Sequence, residues 1–338
     1  KTKDVIWNKA LPVINGAFSP DGGPKANYTT NLNMCETSNK GFELALNTRN
    51  IITKNFTWSS SVTFNHNKEK ITKLSGGDSD VLNNGDTGYA LALGEAINSY
   101  YHYKLDGVWQ KGEETDAAVF GAAPGDLKIN IPNLVKESDG RFYKIDEETG
   151  SAAVDGNVIY YTSDNKYTPS DADYQILGHN SPDWSLGFQN NFTWKDFDLS
   201  VFVYARYGQM FAYDMLTSYD PKGIRNFPTY FNYWTENNPS NDFPAANANK
   251  GLEQYTGYYA LRYVDGSFIK IKNITLGYSL PKSILKSAGI EKCRFYATIT
   301  NPFVFAKSHL LKDYDPEMNG SLKYPLTKQF VFGVNVTF

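Results

Sequence analysis

The chain lacks what a helical membrane protein or a soluble enzyme would supply. Nowhere do about 18 apolar residues run together, the length that a membrane-crossing helix needs. Cysteine is almost absent: Cys35 and Cys293 stand far apart, which leaves one long-range disulfide or two unreactive thiols, the second being expected. Histidine is as sparse, and His66, His102, His179 and His309 show no metal-ligand spacing. There is no GxSxG, no P-loop and no GxGxxG. The adjacent carboxylates Glu113–Glu114 and Glu147–Glu148 read as solvated loop charge, not as a pair held across a cleft. These gaps argue against an enzyme. A net charge of −3, with no Lys/Arg-rich block, argues against a nucleic-acid partner. "KTKDVIWNKA" has neither the apolar core nor the cleavage site of a signal peptide, so an exported chain is expected to be a mature piece or a fragment.

What is abundant is aromatic: 24 Tyr, 21 Phe and 6 Trp make 15% of the chain. They fall in period-two runs. "KQFVFGVNVTF" sets Phe330, Phe332, Val334, Val336 and Phe338 against Val331, Gly333, Asn335 and Thr337. "FDLSVFVYARYG" sets Leu199, Val201 and Val203 against Asp198, Ser200 and Arg206, and "GFELALN" and "WSSSVTFNHN" alternate likewise. Strict alternation places the two sets on opposite faces of a strand. Ten strands are expected, near 2–9, 40–50, 56–67, 87–93, 97–109, 184–195, 197–210, 267–280, 291–304 and 328–338. Short links (51–55, 94–96, Asp196, 281–290) alternate with long ones (10–39, 68–86, 110–183, 211–266, 305–327). Short turns at one end and long loops at the other mark an outer-membrane β-barrel. A compact soluble domain would not carry so many long structureless loops.

Some segments stay open. In "SFIKIKNITLGYSL" the apolar phase slips between Ile271 and Ile274, through a β-bulge near Lys272–Asn273 or because the strand enters the membrane only at Asn273. The five N-x-T triplets at Asn27, Asn55, Asn191, Asn273 and Asn335 read as strand alternation, not glycosylation, because every middle residue is apolar. "DNKYTPSDADY" (164–174) is acidic but lacks the Gly and terminal Glu of a calcium loop, so no metal or cofactor is expected. Rings within loops, Tyr103, Trp109, Tyr233 and Trp234, suit a sugar or peptide ligand beside Asn, Asp and Gln. The alternative for rings near strand ends is an aromatic girdle at the bilayer interface.

Taken in order, "NKGFELALN", "GEAINSYYHYKLDGVWQ", "PGDLK", "ILGHNSPDWSLGFQNNFTWKDFDLSVF", "SFIKIKNITLGYSLPKSILKSAGIEKCRFYATITNPFVFAK", "DYDPE" and "QFVFGVNVTF" resemble the SusC/RagA-like TonB-linked outer-membrane transporters over nearly the whole chain. The resemblance implies an all-β transmembrane antiparallel barrel, with residues 1–338 supplying the last ten or so of 22 strands and long extracellular loops. It implies import of oligosaccharides, or less usually peptides, beneath a SusD-like surface lipoprotein. Coupling would run to TonB through a plug that, with the TonB box and the earlier strands, lies outside this sequence. Short turns and the C-terminus would face the periplasm of a Gram-negative cell. After "PGDLK" the family runs into a "DxNGDG"-like segment; this chain instead has "INIPNLVKESDGRFYK", a loop of its own without that calcium motif.

Further expectations follow. Leu199, Val201, Val203, Phe330, Phe332, Val334 and Val336 face lipid, and Asp198, Ser200 and Arg206 face the lumen. Ten strands leave open edges that an N-terminal remainder must pair. Phe338 ends an aromatic ladder that resembles the signal read by the barrel-assembly machinery. Two rival readings are an adhesion barrel without transport and a soluble carbohydrate-binding β-domain.

Overall fold

The computed structural model describes residues 1–10, 29–74, 81–84, 89–146, 149–154, 157–218, 222, 229–286 and 289–338. Its wall is one antiparallel sheet of eight strands in chain order: β1 (Thr2–Ala10), β2 (Thr29–Ile52), β3 (Phe56–Leu74), β4 (Trp184–Trp194), β5 (Phe197–Tyr207), β6 (Phe268–Ser279), β7 (Lys292–Ala306) and β8 (Gln329–Thr337). The turns 53–55 and 195–196 and the link 280–291 join strands at one end. At the other end run loop A (75–183), loop B (208–267) and loop C (307–328), while the link 11–28 lies outside the described residues. The lopsidedness read from the sequence is therefore real.

Alternation and register together build one outward apolar face. Across the sheet lie rows such as Trp58–Phe192–Leu199–Leu276–Ala297–Phe332 and Val62–Phe188–Val203–Ile271–Phe303. Large side chains on this face are exposed in the isolated chain, Phe332 at 80% and Phe330 at 66%, with Val334 and Val336 also exposed. A water-soluble fold buries such a face, whereas lipid covers it for a barrel. Leu199, Val201 and Val203 share the face and are half-buried among their neighbours. Aromatic pairs edge the band: Trp184 stacks on Phe64 and Tyr207 at the loop end, and Trp58 on Phe192 and Trp194 on Phe197 at the turn end. Trp184 and Trp194 lie about 33 Å apart along the strand, hence roughly 25 Å across a bilayer at a tilt near 40°.

The inner face is polar. Ser200 Oγ accepts from Gln189 Nε2 at 2.6 Å, Thr275 meets Thr298 at 2.9 Å, and Asp198 takes a two-pronged hydrogen bond from Arg294 at 2.8 and 2.5 Å. Asp198, Ser200 and Arg206 stand together on this face. On either side of Tyr296 sit Gly277 and Gly333, and a Cβ at Gly333 would come within 2.3 Å of the ring. The phase slip in β6 is a bulge: pairing with β5 and with β7 skips Lys272. It lets Ile269 and Ile271 face outward above it and Ile274 and Leu276 below.

Two of the ten expected strands are not in the wall. Tyr89–Ala92 and Ser99–His102 belong to a separate sheet with Val81–Asn84 and Gln175–His179, inside loop A. Four residues cannot cross a bilayer that takes about 9–11. Ala90, Leu91 and Tyr100 are instead buried by protein. The links 68–86 and 110–183 are thus parts of a single connection, and β2 and β3 run longer than expected, 24 and 19 residues, as a hairpin rising beyond the band. Cys35 on β2 and Cys293 on β7 are free thiols. Of the N-x-T triplets, those at Asn55, Asn191, Asn273 and Asn335 start at or inside wall strands, and Asn27 lies outside the described residues.

Candidate functional site: a loop-built vestibule

The largest hydrophobic core of the chain belongs to its loops. Val108 and Leu127 from loop A, Phe211, Leu216, Phe231, Trp234, Phe243 and Tyr258 from loop B, and Leu311 from loop C pack into one cluster at the loop end of the wall. Loops that bury this much apolar surface form a fixed body, because ordering them is offset by burial. Loop A supplies the hairpin Lys104–Val108/Leu127–Asn130 and a short helix Glu114–Val119, whose first turn carries Glu114 and Asp116 against the helix dipole. Loop B is tied to it at Trp234, whose Nε1 donates to Gln110 Oε1 at 2.9 Å. The Trp234 ring also lies over Gly125, a residue at φ +94° where a Cβ would collide with it.

Three of the four rings expected to meet ligand are occupied by this packing. Trp109 (5% exposed) stacks on Phe120 and carries the Lys128 ammonium 4.4 Å over its face. Trp234 (7%) sits in the core, and Tyr103 (8%) packs edge-on against Tyr174 at 4.6 Å. Their apolar faces serve the loop fold, and Trp109 also lines a narrow cleft of ≈ 60 Å³ with Phe120, Lys250 and Tyr255. Tyr103 still borders a cleft, described below, and Tyr233 alone of the four is exposed, at 42%. The acidic stretch 164–174 is likewise committed inward: Asp173, fully buried, accepts from Tyr167 Oη at 2.6 Å and from the Ser170 amide at 2.9 Å, and it pairs with Lys144. No three ligating side chains gather among the described residues. Glu113 pairs with Lys128 at 2.6 Å, which holds its carboxyl below the usual range, while Glu147–Glu148 lie outside the described residues.

An aromatic nest backs the small loop A sheet. Tyr89 stacks on Tyr100 at 4.7 Å, Tyr100 meets Tyr263 at 4.9 Å, and His102 stacks on Tyr174 at 4.8 Å. Burial, and then the nearby Arg262 cation, push the His102 imidazole down to about 4 against the pull of Asp171, so it is neutral at pH 7. Tyr103 is pushed up to about 12 by burial and by Asp171 and Asp173.

Beside this nest opens a cleft of ≈ 430 Å³. Leu105, Ile176, Met210, Leu261 and Leu310 give it apolar walls, with Tyr103 and Tyr263 between them. Two amides give it polarity. Gln175 spends its Nε2 on Asn130, and its Oε1 has no partner among the described residues and is open to accept. Asn241 spends its Oδ1 on the Val108 amide and on Gln110, and its Nδ2 has no partner among the described residues and is open to donate. Asp242 at the rim is paired with His309 at 3.0 Å. A second cleft of ≈ 520 Å³ lies between loop C and the top of β7, floored by the Tyr213–Tyr314 pair at 4.3 Å. Sequence reasoning missed Gln175 and Asn241, because nothing local distinguishes them from other loop amides.

An apolar band, aromatic edges, a polar inner face and a vestibule of packed loops define a class: the wall of an outer-membrane β-barrel. No family model matches the chain. Known proteins nonetheless resemble it from end to end. It is 28% identical over 360 residues to TonB-dependent receptor P3 of Formosa agariphila, covering 100% of this chain and 31% of that protein. It is 25% identical over 350 residues to TonB-dependent receptor SusC of Bacteroides thetaiotaomicron, covering 29% of that one. Among solved structures, that of the RagAB peptide transporter superposes with a TM-score of 0.69 at 24% identity, over 99% of this chain and 32% of that one. The likeness to the SusC/RagA-like TonB-linked outer-membrane transporters, drawn above from short motifs, therefore holds along the whole chain and in its fold. The chain spans about a third of the length of these relatives.

Proposed function

We propose that this chain is the C-terminal wall sector and part of the vestibule of a TonB-dependent importer of nutrient oligomers. Its short turns face the periplasm and its long loops the outside. A plug, a TonB contact and the remaining strands are supplied by the N-terminal part of the same transporter, and a SusD-like lipoprotein covers the loops. The observation that carries this reading is a packed loop vestibule with a lined cleft on a wall of transporter likeness. A surface adhesin has no need of a cleft at the mouth of its lumen, and a soluble sugar-binding domain has no use for the outward apolar face.

The family resemblance gives oligosaccharides first and peptides second as cargo. One feature favours peptides: the ≈ 430 Å³ cleft has apolar walls and offers one free amide donor and one free amide acceptor. That set matches a peptide unit flanked by apolar side chains, whereas a sugar asks for a flat exposed ring and many polar partners. The test is uptake by cells expressing the full-length transporter, supplied with a tryptic casein digest or with neutral glucan oligosaccharides. TonB-dependent uptake of peptides, weakened by Asn241→Ala and Gln175→Ala, is expected. Uptake of glucans alone would overturn the cargo, and binding without TonB-dependent uptake would overturn the importer.

A further inference from the structure

Lys270 of β6 is fully buried, its ammonium drawn into the barrel mouth by the inward phase of the strand. Its Nζ lies 2.5 Å from Asp315 Oδ2 and 2.8 Å from Glu317 Oε2. Lys272, at the bulge, points the same way and reaches the other oxygen of Glu317 at 2.6 Å. The two carboxylates come from "DPE" in loop C, where Asp315 caps the single turn Pro316–Met318 by accepting from the Glu317 amide at 3.1 Å. Two cations on the wall thus meet two anions on a loop, with Lys270 out of water, Asp315 and Glu317 mostly buried and Lys272 partly exposed. A buried charge survives only when paired and hydrogen-bonded, so this arrangement tolerates loop C in one place.

The next residues fasten loop C sideways. Asn319, in the left-handed region at φ 55°, accepts from Gln209 Nε2 of loop B at 2.7 Å and donates to Asn180 Oδ1 of loop A at 3.2 Å. Asn180 in turn donates to Tyr100 Oη at 3.0 Å, which meets Tyr89 Oη at 3.1 Å. Leu311, 1% exposed, enters the shared core, and its neighbour Leu310 forms part of the ≈ 430 Å³ cleft.

We propose that Lys270 and Lys272 are positioning residues for ligand recognition: with Asp315 and Glu317 they clamp loop C to the inner wall, and so fix Leu310 and the amide-lined cleft where cargo binds. The wall reaches the ligand through the loop and touches no ligand itself. The bulge in β6 serves the same end, since it lets two lysines face inward without turning the lipid-facing side chains of β6 out of phase. This inference rests on the importer reading for its ligand, but not for its clamp.

The experiment is a double-mutant cycle of neutral substitutions in the full-length transporter, Lys272→Gln, Glu317→Gln and both together, because Glu317→Lys would set a second ammonium against buried Lys270. Hydrogen exchange is followed at the amides of 308–321 and of the wall strands, and affinity is measured for a tryptic casein digest. Each single substitution is expected to speed exchange in 308–321 and weaken binding by roughly tenfold, with wall strands and heat-resistant mobility unchanged. The double variant is expected to lose clearly less than the sum of the two single losses, in both readouts. Faster loop exchange with unchanged affinity would overturn the positioning role, and additive losses in exchange would overturn the clamp. Should Glu317→Gln fail to assemble, Lys272→Gln is judged by the same two readouts. If the wild type binds no peptide, the cargo reading fails, while the exchange data still decide the clamp.

Discussion

Val201 and Ser200 are neighbours in sequence and opposites in setting. Val201 lies in the outward row with Ile274 and Ile299, and Ser200 holds Gln189 in the lumen. Arg at Val201 is expected to cost about 2–4 kcal/mol near the bilayer midplane, and at Ser200 about 0–1 kcal/mol. Equal costs in a lipid refolding titration would mean that the faces are misassigned. His102 makes a different prediction at the same scale. Its pKa of about 4 lies below the ordinary 6.5, through burial first and then Arg262, against Asp171; Tyr103, Tyr174 and Tyr263 also pack on the ring. A depressed value means that its stabilising contribution is present above pH 6.5 and lost as the pH falls toward 4. Exchange of amides 99–103 and 174–176, corrected for the intrinsic pH dependence, should quicken through that window. In His102→Phe this component should disappear; a slope that persists would assign the effect to other groups.

At the scale of elements, the loops behave as a small domain stitched from three connections. Trp234 is its clearest probe, because the ring fills the core and joins loop B to Gln110 of loop A. Trp234→Ala is expected to destabilise the loop body by about 3–5 kcal/mol. Limited proteolysis should then cut within 229–245 while the heat-resistant wall persists. If the loops stay protected and only ligand binding falls, the ring is a ligand contact after all, as the sequence first suggested. The wall strands answer to a different rule: register, alternation and the bulges within the strands decide them, and the loops decide nothing about their phase.

For the whole molecule, the eight-stranded sheet has two open edges among the described residues, one along β8 and the other along β1 together with the turn-end part of β2 that β1 does not reach. Unpaired backbone groups in lipid cost several kcal/mol each. Residues 1–338 expressed alone are therefore expected to give no monodisperse, heat-resistant barrel, and to yield one when an N-terminal segment of the same transporter is supplied. A stable barrel from this chain by itself would refute that. Phe338, 87% exposed, packs on little. Deleting it from the full-length protein should reduce outer-membrane yield far more than the unfolding midpoint of the assembled fraction. Normal yield, or a proportional fall in both, would make it an ordinary rim residue.

The sequence by itself determined the wall. Period two is a local property, so "FDLSVFVYARYG" declares its two faces without reference to anything distant, and even the slip in β6 was legible as a break in phase. Short turns against long connections likewise gave the barrel. Tertiary structure decided the rest, because it depends on residues far apart in the chain. Whether the strand expected near 87–93 spans or folds back turned on the burial of Leu91 against Cys35 of β2 and Ile71 of β3, which alternation over a few residues cannot reveal. That the Trp234 ring is held against another loop turned on Gln110, 124 residues away. The free amides of Gln175 and Asn241 acquire meaning only when neighbours occupy their other halves. Lys270 reads as one more alternating polar residue until loop C, 45 residues on, brings Asp315 to it. Alternation is set by the geometry of one strand; a site is set by which distant side chains are already spoken for.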